Sequence, residues 1–315
     1  MKIIITGALG HIGSKIVRVF PEVFPESEIL MIDNLLTQRY FSLFNLPNRG
    51  NYRFYEVNIL ETELRSIFEG ADVVLHLAAI TDATSSFQNR TQVETVNYEG
   101  TVRVAEACKD VDCPMIHLSS TSVYGSQKCV VNEDCSSDDL NPQSPYAEIK
   151  LKEENFLRSL RLDKKFRFII FRFGTICGTS PGMRFHTAIN KFCWQAVMGQ
   201  PLTIWSTAKN QKRPYLALSD AIRAINYVIR KKKYDGEIYN VLTSNLTVNF
   251  IIEIIREFIP NIEIDYVDSE IMNQLSYEVS CQKLLKAGFE IKGDIRENIV
   301  ETIDLLRLGN VETTI

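Results

Sequence analysis

Two side chains one helical turn apart could do acid–base chemistry together. Tyr146 and Lys150 follow Pro145 in a segment typical of the start of a helix, so they share one helix face. A phenol is a poor base at neutral pH, but a nearby cation stabilises the phenolate and lowers the pKa. Such a pair can take the proton of an alcohol while a hydride leaves the same carbon. Taken alone, a tyrosine four residues before a lysine is more often part of an exposed helix face.

Three glycines, Gly7, Gly10 and Gly13, have the spacing of a dinucleotide-binding loop. They follow the first predicted strand, Lys2–Thr6, and open the first predicted helix, Ile12–Phe20, which is the context that such a loop requires. The first glycine permits a tight turn, the second lets the backbone approach a diphosphate, and the third lets the helix pack closely on the strand. Because a helix N-terminus also offers free N–H groups, the segment predicts a phosphate-binding loop and not an incidental glycine cluster.

Asp33 indicates which dinucleotide the loop would hold. It follows the second predicted strand, Ile29–Ile32, where a carboxylate accepts hydrogen bonds from the adenosine ribose and repels a 2′-phosphate. The residue therefore favours NAD over NADP. Arg39 lies close by in the sequence and argues for NADP, although a solvated loop arginine is the simpler interpretation.

A hydroxyl-rich run, Ser119–Ser122, supports the catalytic interpretation of the tyrosine and lysine. It follows the fifth predicted strand, Met115–Leu118. Ligands of a parallel sheet bind outside the carboxyl ends of its strands, so the run would face the same crevice as the glycine loop. A serine-rich turn without function would not explain why these motifs coincide. Ser120 is the candidate that binds the reacting hydroxyl, and its neighbour Thr121 is the second choice. The predicted catalytic residues are Ser120, Tyr146 and Lys150.

The elements that must position these motifs alternate along the first half of the chain. Further strands are predicted at Tyr52–Val57, Val73–Leu77 and Arg167–Phe171, and further helices at Thr62–Phe68, Val93–Cys108 and Tyr146–Ser159. Strands that alternate with helices form a parallel sheet covered on both faces. The predicted fold class is α/β, a Rossmann-type doubly wound parallel sheet with a smaller, mixed α/β C-terminal region that binds the substrate.

After about residue 174 the pattern changes. Here we predict helices at Phe185–Met198, Asp220–Arg230, Asn249–Phe258 and Ile295–Leu308, and strands at Pro201–Trp205 and Ile262–Val267. Residues 1–174 form the predicted NAD-binding domain, with a return segment over 214–243 whose strand, Glu237–Val241, rejoins the sheet. Residues 175–213 and 244–315 form the predicted substrate-binding region. The sequence contains no repeat or low-complexity linker, so the second region is expected to fold onto the first.

Composition argues against several other classes of protein. The 315 residues include 35 basic and 39 acidic ones, a net charge of −4 that disfavours a nucleic-acid binder. Hydrophobic residues make up 45%, as in ordinary globular proteins. The seven cysteines are scattered, and the apolar runs are too short for a signal peptide or a membrane span. We expect a cytoplasmic protein with no metal site, no membrane and no nucleic-acid partner.

Together the motifs resemble those of the extended short-chain dehydrogenase/reductases, in the NAD-dependent nucleotide-sugar epimerase/dehydratase family. The matches cover most of the chain in the family's order: the glycine loop, Asp33–Leu35, His76–Ala79, Asn97–Thr101, Ser119–Gly125, and Tyr146 with Lys150. The resemblance implies tightly bound NAD, a nucleotide-sugar substrate and a homodimer paired through the helices near Val93–Cys108 and Tyr146–Ser159. The residues it implies for NAD are Gly7, Leu9, Gly10, His11, Ile12, Gly13, Asp33, Asn34, Asn58, Ile59, Leu77, Ala78, Ala79, Asn97, Tyr146 and Lys150. Asn58 replaces the usual aspartate at the adenine but keeps an acceptor oxygen.

The resemblance extends to the substrate, with departures. Arg213 matches the arginine that holds the substrate diphosphate, a task that suits its planar fork, and a surface arginine is the alternative. Thr175 replaces an asparagine at the diphosphate, and a second arginine is missing from residues 273–277. Ser180–Phe185 resembles a subgroup that modifies bacterial surface-polysaccharide sugars, including heptoses, where Arg184 suits a phosphate or sugar contact as well as an exposed helix start. The candidate substrate-binding residues are Thr81, Ser120, Thr121, Thr175, Arg184 and Arg213.

The residues after Ser120 narrow the reaction. Family members that eliminate water have an acid and a base there, whereas this chain has Thr121 and Ser122, which do not transfer protons near neutral pH. We expect an NAD-dependent nucleotide-sugar 4-epimerase that works through a transient 4-keto sugar. An NAD-dependent 4-dehydrogenase or ketoreductase, for example on a GDP-heptose, is the alternative. A 4,6-dehydratase and a non-catalytic NAD-binding protein are less favoured.

Overall fold

The structure is a computed structural model that describes residues 1–124, 130–161, 166–268 and 277–308. Its strands are β1 (Lys2–Thr6), β2 (Glu28–Asp33), β3 (Asn51–Glu56), β4 (Val73–His76), β5 (Met115–Ser120), β6 (Val130–Val131), β7 (Phe168–Phe173), β8 (Thr175–Cys177), β9 (Leu202–Trp205), β10 (Lys212–Ala217), β11 (Ile238–Val241), β12 (Ser244–Thr247), β13 (Ile264–Val267) and β14 (Glu278–Val279). Its α-helices are α1 (His11–Val23), α2 (Arg65–Phe68), α3 (Arg90–Val93), α4 (Gly100–Asp110), α5 (Pro145–Leu160), α6 (Ala188–Val197), α7 (Leu218–Lys231), α8 (Val248–Phe258), α9 (Gln282–Lys286) and α10 (Ile295–Arg307). Gly125 of the hydroxyl-rich motif, residues 273–276 and the end of the predicted substrate-binding region, 309–315, lie outside the described residues.

Seven strands form the central sheet in the order β11-β7-β5-β4-β1-β2-β3, and neighbouring strands run parallel. Ile3, Ile4 and Ile5 of β1 are fully buried because helices cover both faces of the sheet. The strand order reverses between β1 and β4, where the carboxyl ends of the strands open the crevice in which ligands of such sheets bind. The predicted α/β fold class is confirmed.

Helix α1 is longer than predicted. It passes through Pro21 and ends at Val23, instead of ending at Phe20. A proline lacks the N–H that would bond to the carbonyl four residues earlier. Here the hydroxyl of Tyr52, on β3, donates to that carbonyl, the one of Val17, at 2.9 Å. A distant side chain therefore satisfies the acceptor that the proline leaves open, and the helix continues.

Helix α2 is shorter than the predicted helix Thr62–Phe68. It begins only at Arg65. The carboxylate of Glu63 accepts from the backbone N–H groups of Arg65 and Ser66, each at 3.0 Å. A side chain that accepts from the first free N–H groups of a helix marks its beginning, so the residues before Glu63 belong to a turn.

The predicted helix Val93–Cys108 consists of α3, a π-helical turn over Glu94–Glu99, and α4. Such turns are rare in helices and frequent at functional sites. Asn97 lies in the π turn, where its side chain accepts from the N–H of Ile80 at 2.7 Å and donates to the carbonyl of Ile80 at 2.9 Å. The turn therefore holds the segment that leaves β4 toward the crevice.

The smaller region contains the three-stranded sheet β12-β10-β8 and the pair β13-β9. Helices α6, α8 and α10 pack their apolar faces on these strands around Ile189, Ile251 and Ile299. Of the predicted return segment, 214–243, β11 belongs to the central sheet, where it pairs with β7. Strand β10 instead joins the smaller sheet. Within the described residues, every helix is too short or too polar to cross a membrane.

Candidate active site

A cavity of about 650 Å³ opens at the carboxyl ends of the central strands and is lined by both regions. The predicted site residues in its wall are Gly7, Gly10, His11, Ile12, Gly13, Leu77, Ala79, Thr81, Ser120, Thr121, Tyr146, Lys150, Thr175, Arg184 and Arg213. The predicted residues outside its wall are Leu9, Asp33, Asn34, Asn58, Ile59, Ala78 and Asn97. The fold thus brings the glycine loop, the hydroxyl-rich run and the tyrosine–lysine pair to one cavity.

Helix α5 carries Tyr146 and Lys150 into the cavity wall. The hydroxyl of Ser144 caps this helix by accepting from the N–H of Ala147 at 3.2 Å. The hydroxyl of Ser120, at the end of β5, accepts from the N–H of Ser122 at 3.1 Å and lies in the same cavity wall as Tyr146. The three predicted catalytic side chains therefore lie together.

In the protein without a bound ligand, burial is the main influence on the ionisation of Tyr146. It raises the pKa of the phenol and outweighs the lowering effect of Lys150. Lys150 lowers the pKa of Tyr146 as expected, but burial raises it by more. The phenol consequently keeps its proton at neutral pH until a ligand adds positive charge nearby.

Buried charged groups that the sequence motifs do not indicate lie beneath this pair. Lys150 donates to Oε2 of Glu153 at 2.8 Å, and Nε2 of His117 lies 2.9 Å from the same oxygen. Glu154 accepts from the guanidinium of Arg172 at 2.9 and 2.6 Å. The sequence contains one signal for Glu153: it follows Lys150 by three residues and so shares its helix face.

The glycine loop has the shape that a dinucleotide diphosphate requires. Gly7 has a φ of +66°, and a Cβ there would lie 2.6 Å from the backbone nitrogen of Ala78. A Cβ on Gly13 would lie 2.6 Å from the carbonyl oxygen of Ala8. Gly10 precedes α1 without a side-chain cap, so the first N–H groups of this helix are available to a ligand. The loop fits NAD, whose diphosphate it would hold through backbone N–H groups.

A loop of the smaller region packs directly on the glycine loop. The backbone N–H of Gly182 donates to the hydroxyl of Ser14 at 2.9 Å, and the hydroxyl oxygen of Ser180 lies 2.9 Å from Nδ1 of His11. A Cβ on Gly182 would lie 2.3 Å from the carbonyl oxygen of Leu9. The sequence marks this segment as unusual but does not predict the contact. The smaller region and the glycine loop therefore share one packed interface.

The residues predicted for the adenosine end are held by local hydrogen bonds. The two carboxylate oxygens of Asp33 accept from the N–H groups of Leu9 and Leu35, at 3.1 and 3.0 Å. The side-chain oxygen of Asn58 accepts from the N–H of Leu60 at 3.1 Å. These bonds order the loops after β2 and β3, and the contacts of both residues with ribose and adenine stay predictions.

Three other residues predicted to bind the cofactor have different surroundings. Asn34 is exposed and accepts from the N–H of Leu36 at 3.1 Å. Ile59 is buried in the core between the sheet and α4. Asn97 uses both ends of its amide on the backbone of Ile80. Asn97 therefore positions the segment after β4 and lies outside the cavity wall, and its contact with the cofactor stays a prediction.

Arg184 is a cation in the cavity wall near Tyr146. Its guanidinium donates to the hydroxyl of Thr81. Burial and then the charge of Arg39 lower the pKa of Arg184 to about 10, which leaves the guanidinium charged at neutral pH. Among the described residues no carboxylate forms an ion pair with it. Its charge is available to an anionic or hydroxyl group of a ligand.

Arg213 and Thr175 come from neighbouring strands of the smaller sheet. Thr175 on β8 is in register with Tyr215 on β10, two residues after Arg213. The Arg213 guanidinium lies 5.1 Å from the ring centroid of Tyr277 and donates to the side chain of Gln211 at 3.0 Å. The structure therefore places the two residues predicted to contact the diphosphate on one wall.

Thr121 lies in the wall, but its hydroxyl is committed to the protein. It donates to the carbonyl of Phe173 at 3.3 Å, and the backbone carbonyl of Thr121 accepts from the Tyr277 hydroxyl at 3.2 Å. Ser120 is therefore the better placed of the two hydroxyls for the reacting group.

Comparisons relate the chain to known proteins. Residues 3–241 match the model of the NAD dependent epimerase/dehydratase family. YtcB of Bacillus subtilis (strain 168), described as an uncharacterized UDP-glucose epimerase, is 32% identical over 76% of each chain. The dTDP-D-glucose 4,6-dehydratase of Dictyostelium discoideum is 34% identical over 78% of this chain and 60% of its own. The UDP-glucuronic acid 4-epimerase from Bacillus cereus, solved with UDP-glucuronic acid and NAD, is 25% identical and superposes with a TM-score of 0.88 over 98% of this chain and all of that one.

Proposed function

The chain belongs to the NAD-dependent epimerase/dehydratase family, and on that basis we propose that this enzyme is a nucleotide-sugar 4-epimerase that uses NAD. The observation that carries the proposal is the convergence of Ser120, Tyr146 and Lys150 in one cavity with the glycine loop. The names of the Bacillus relatives support the choice of 4-epimerisation.

The three side chains would divide the proton chemistry between them. Ser120 would hold the C4 hydroxyl of the sugar while Tyr146 accepts its proton. When bound, NAD supplies the hydride acceptor and, once reduced, the hydride donor. Tyr146 would then return the proton to the oxygen of the 4-keto sugar. The configuration at C4 is inverted if the sugar has rotated so that its opposite face receives the hydride. Burial raises the pKa of Tyr146, and the charge of Lys150 opposes that effect and favours the phenolate.

The smaller region would hold the rest of the substrate. Arg213 is the proposed partner of the diphosphate, since a guanidinium pairs with two phosphate oxygens at once. Arg184 and Thr81 are the proposed partners of the sugar or of an adjoining phosphate. The division into a cofactor domain and a substrate region, and the homodimer predicted through the helices that contain α4 and α5, belong to the same proposal.

A 4,6-dehydratase is the second candidate, because the Dictyostelium relative has that name. Positions 121 and 122 argue against it. The hydroxyl of Thr121 donates to a carbonyl, and that of Ser122 is buried without a hydrogen-bond partner in the described part of the chain. Neither hydroxyl can act as the acid or base of an elimination near neutral pH.

The proposal is tested by ligand screening followed by product analysis. UDP-, GDP-, CDP- and dTDP-sugars are screened for thermal stabilisation of the NAD-loaded protein, because a ligand that binds only the folded state raises its melting temperature. Sugars that bind are then incubated with the enzyme and the products identified by NMR. Inversion at C4 without net formation of NADH is the expected result. Loss of water would instead identify a dehydratase, and net NADH formation a 4-dehydrogenase.

A further inference from the structure

A buried carboxylate lies directly beneath the catalytic pair, and the mechanism above does not use it. Oε2 of Glu153 lies 2.8 Å from Nζ of Lys150 and 2.9 Å from Nε2 of His117. The exposed fractions of these side chains are 0% for Glu153, 5% for Lys150 and 1% for His117. Moving a charge out of water into the protein interior costs free energy, so a buried charge is retained only when it is paired with an opposite charge.

Lys150 is the cation that compensates Glu153. The other buried carboxylate, Glu154, is already matched by Arg172, which donates to both of its oxygens. His117 does not supply a second positive charge, because burial lowers its pKa even though Glu153 opposes that effect. Other titratable or charged groups face these buried side chains from the elements packed around them. They are Tyr146 on α5, His76 on β4 and Arg184 from the smaller region.

His76 also stays outside the charge balance. Its Nδ1 lies 2.8 Å from the hydroxyl of Thr6, and its Nε2 lies 3.1 Å from the hydroxyl of Thr101. Burial, followed by the charges of His117 and Lys150, keeps the pKa of His76 well below its ordinary value. Beneath the cavity, the ammonium of Lys150 therefore balances the carboxylate of Glu153, and neither histidine adds a charge.

We propose that Glu153 is a positioning residue that neutralises most of the Lys150 charge and so sets the pH range over which Tyr146 exchanges its proton. The part that concerns turnover rests on the proposed function. The part that concerns the ionisation of Tyr146 does not, because it can be measured in the NAD-loaded protein without substrate.

The direction of the effect follows from the charges. Burial raises the pKa of Tyr146, Lys150 lowers it and Glu153 raises it again. Removing the carboxylate leaves the Lys150 charge unopposed, which favours the phenolate. The same change removes the group that holds the pKa of Lys150 up against burial. Lys150 still carries its charge below that lowered pKa, and over this range the phenolate of Tyr146 forms at lower pH than in the wild type.

The experiment compares the wild type with Glu153→Gln, both loaded with NAD. The phenolate absorbance of Tyr146 is isolated by subtracting the titration of Tyr146→Phe in the matching background. We expect the midpoint of Glu153→Gln to fall by about one pH unit. Below the midpoint, this corresponds to an about tenfold larger phenolate fraction at a given pH. An unchanged or higher midpoint overturns the proposal.

Two control variants separate charge from packing. Glu148→Gln removes a carboxylate from the same helix, but Glu148 is 43% exposed and paired with Arg90, so water screens it and the midpoint should stay. His117→Gln changes the packing around Glu153 without removing a charge, and here too the midpoint should stay. A shift in His117→Gln as large as that in Glu153→Gln would mean that packing sets the midpoint, and would overturn the proposal.

A turnover profile gives the second measurement once a substrate has been identified. Both limbs of kcat against pH should move to lower pH in Glu153→Gln, while KM stays near the wild-type value because Glu153 does not line the cavity. If Glu153→Gln does not fold, Glu153→Ala is used in its place, since alanine suits a helix and introduces no amide to bury. If neither neutral variant folds while Glu153→Asp does, the carboxylate is a structural counter-ion only, and the proposal is overturned.

Discussion

Replacing Gly182 by alanine should loosen the cofactor loop from a site outside the glycine motif. The added Cβ would lie 2.3 Å from the carbonyl oxygen of Leu9 and 2.5 Å from that of Gly10. Ordinary van der Waals contact begins at 3.4 Å, so one of the two backbones must withdraw by about 1 Å. Backbone cannot rotate away as a side chain can, and overpacking of this kind costs about 1–3 kcal/mol. If that cost falls on cofactor binding, the Kd for NAD rises about 5- to 150-fold.

The assay is the NAD content of the purified protein, followed by calorimetric titration of NAD into stripped protein. Gly100→Ala is the matched control. Gly100 lies in helix α4, where a Cβ would meet only the flexible end of the Ile59 side chain at 3.0 Å. That variant should keep its NAD, because the side chain can move and alanine favours a helix.

An affinity for NAD equal to that of the wild type, together with an unchanged melting temperature, would refute the predicted effect of Gly182→Ala. That outcome would mean that the loop of the smaller region adjusts freely and does not hold the cofactor loop. A lower melting temperature with normal NAD affinity would instead place the whole cost in folding and would also contradict the predicted effect on the cofactor.

Three further predictions concern single side chains. Tyr146→Phe should lower kcat about 10²- to 10⁴-fold with NAD retained, as measured by turnover and cofactor content, because it removes the proton acceptor. Arg213→Ala should weaken nucleotide-sugar binding about 10- to 150-fold in calorimetry, with Arg213→Lys intermediate, because charge-assisted hydrogen bonds are worth about 1.5–3 kcal/mol. Burial, then Arg184, lowers the pKa of His11 from 6.5 to about 3, so between those values the unfolded chain binds a proton that the folded protein does not. Stability should therefore fall as the pH drops below about 6.5, and His11→Gln should flatten that part of a plot of melting temperature against pH.

The central sheet could be predicted because its information is local. Buried parallel strands are continuous apolar runs, and β1 begins and ends where Lys2–Thr6 predicts. Element ends depend instead on distant partners. The passage of α1 through Pro21 depends on the hydroxyl of Tyr52 on another strand. No local pattern near Pro21 contains that information.

The same distinction applies to the site. The glycine spacing and the pair Tyr146 and Lys150 are local patterns whose chemistry follows from residue type. Glu153 could have been noticed from its helical spacing to Lys150, but its contact with His117 joins a helix to a strand. Asn97 shows the opposite case, in which a motif match indicates a ligand contact while the π turn commits the side chain to the backbone of Ile80.

The position of β11 has a consequence for synthesis of the chain. This strand covers the outer edge of β7, whose six residues are all buried in the finished protein. Roughly 65 residues separate the end of β7 from the start of β11. At about 5–20 residues per second, the edge of β7 waits about 3–13 s for its partner to emerge. During that interval an apolar edge with unpaired backbone groups is open to pairing with other chains. The nascent protein is consequently prone to aggregate while residues 174–237 are being made.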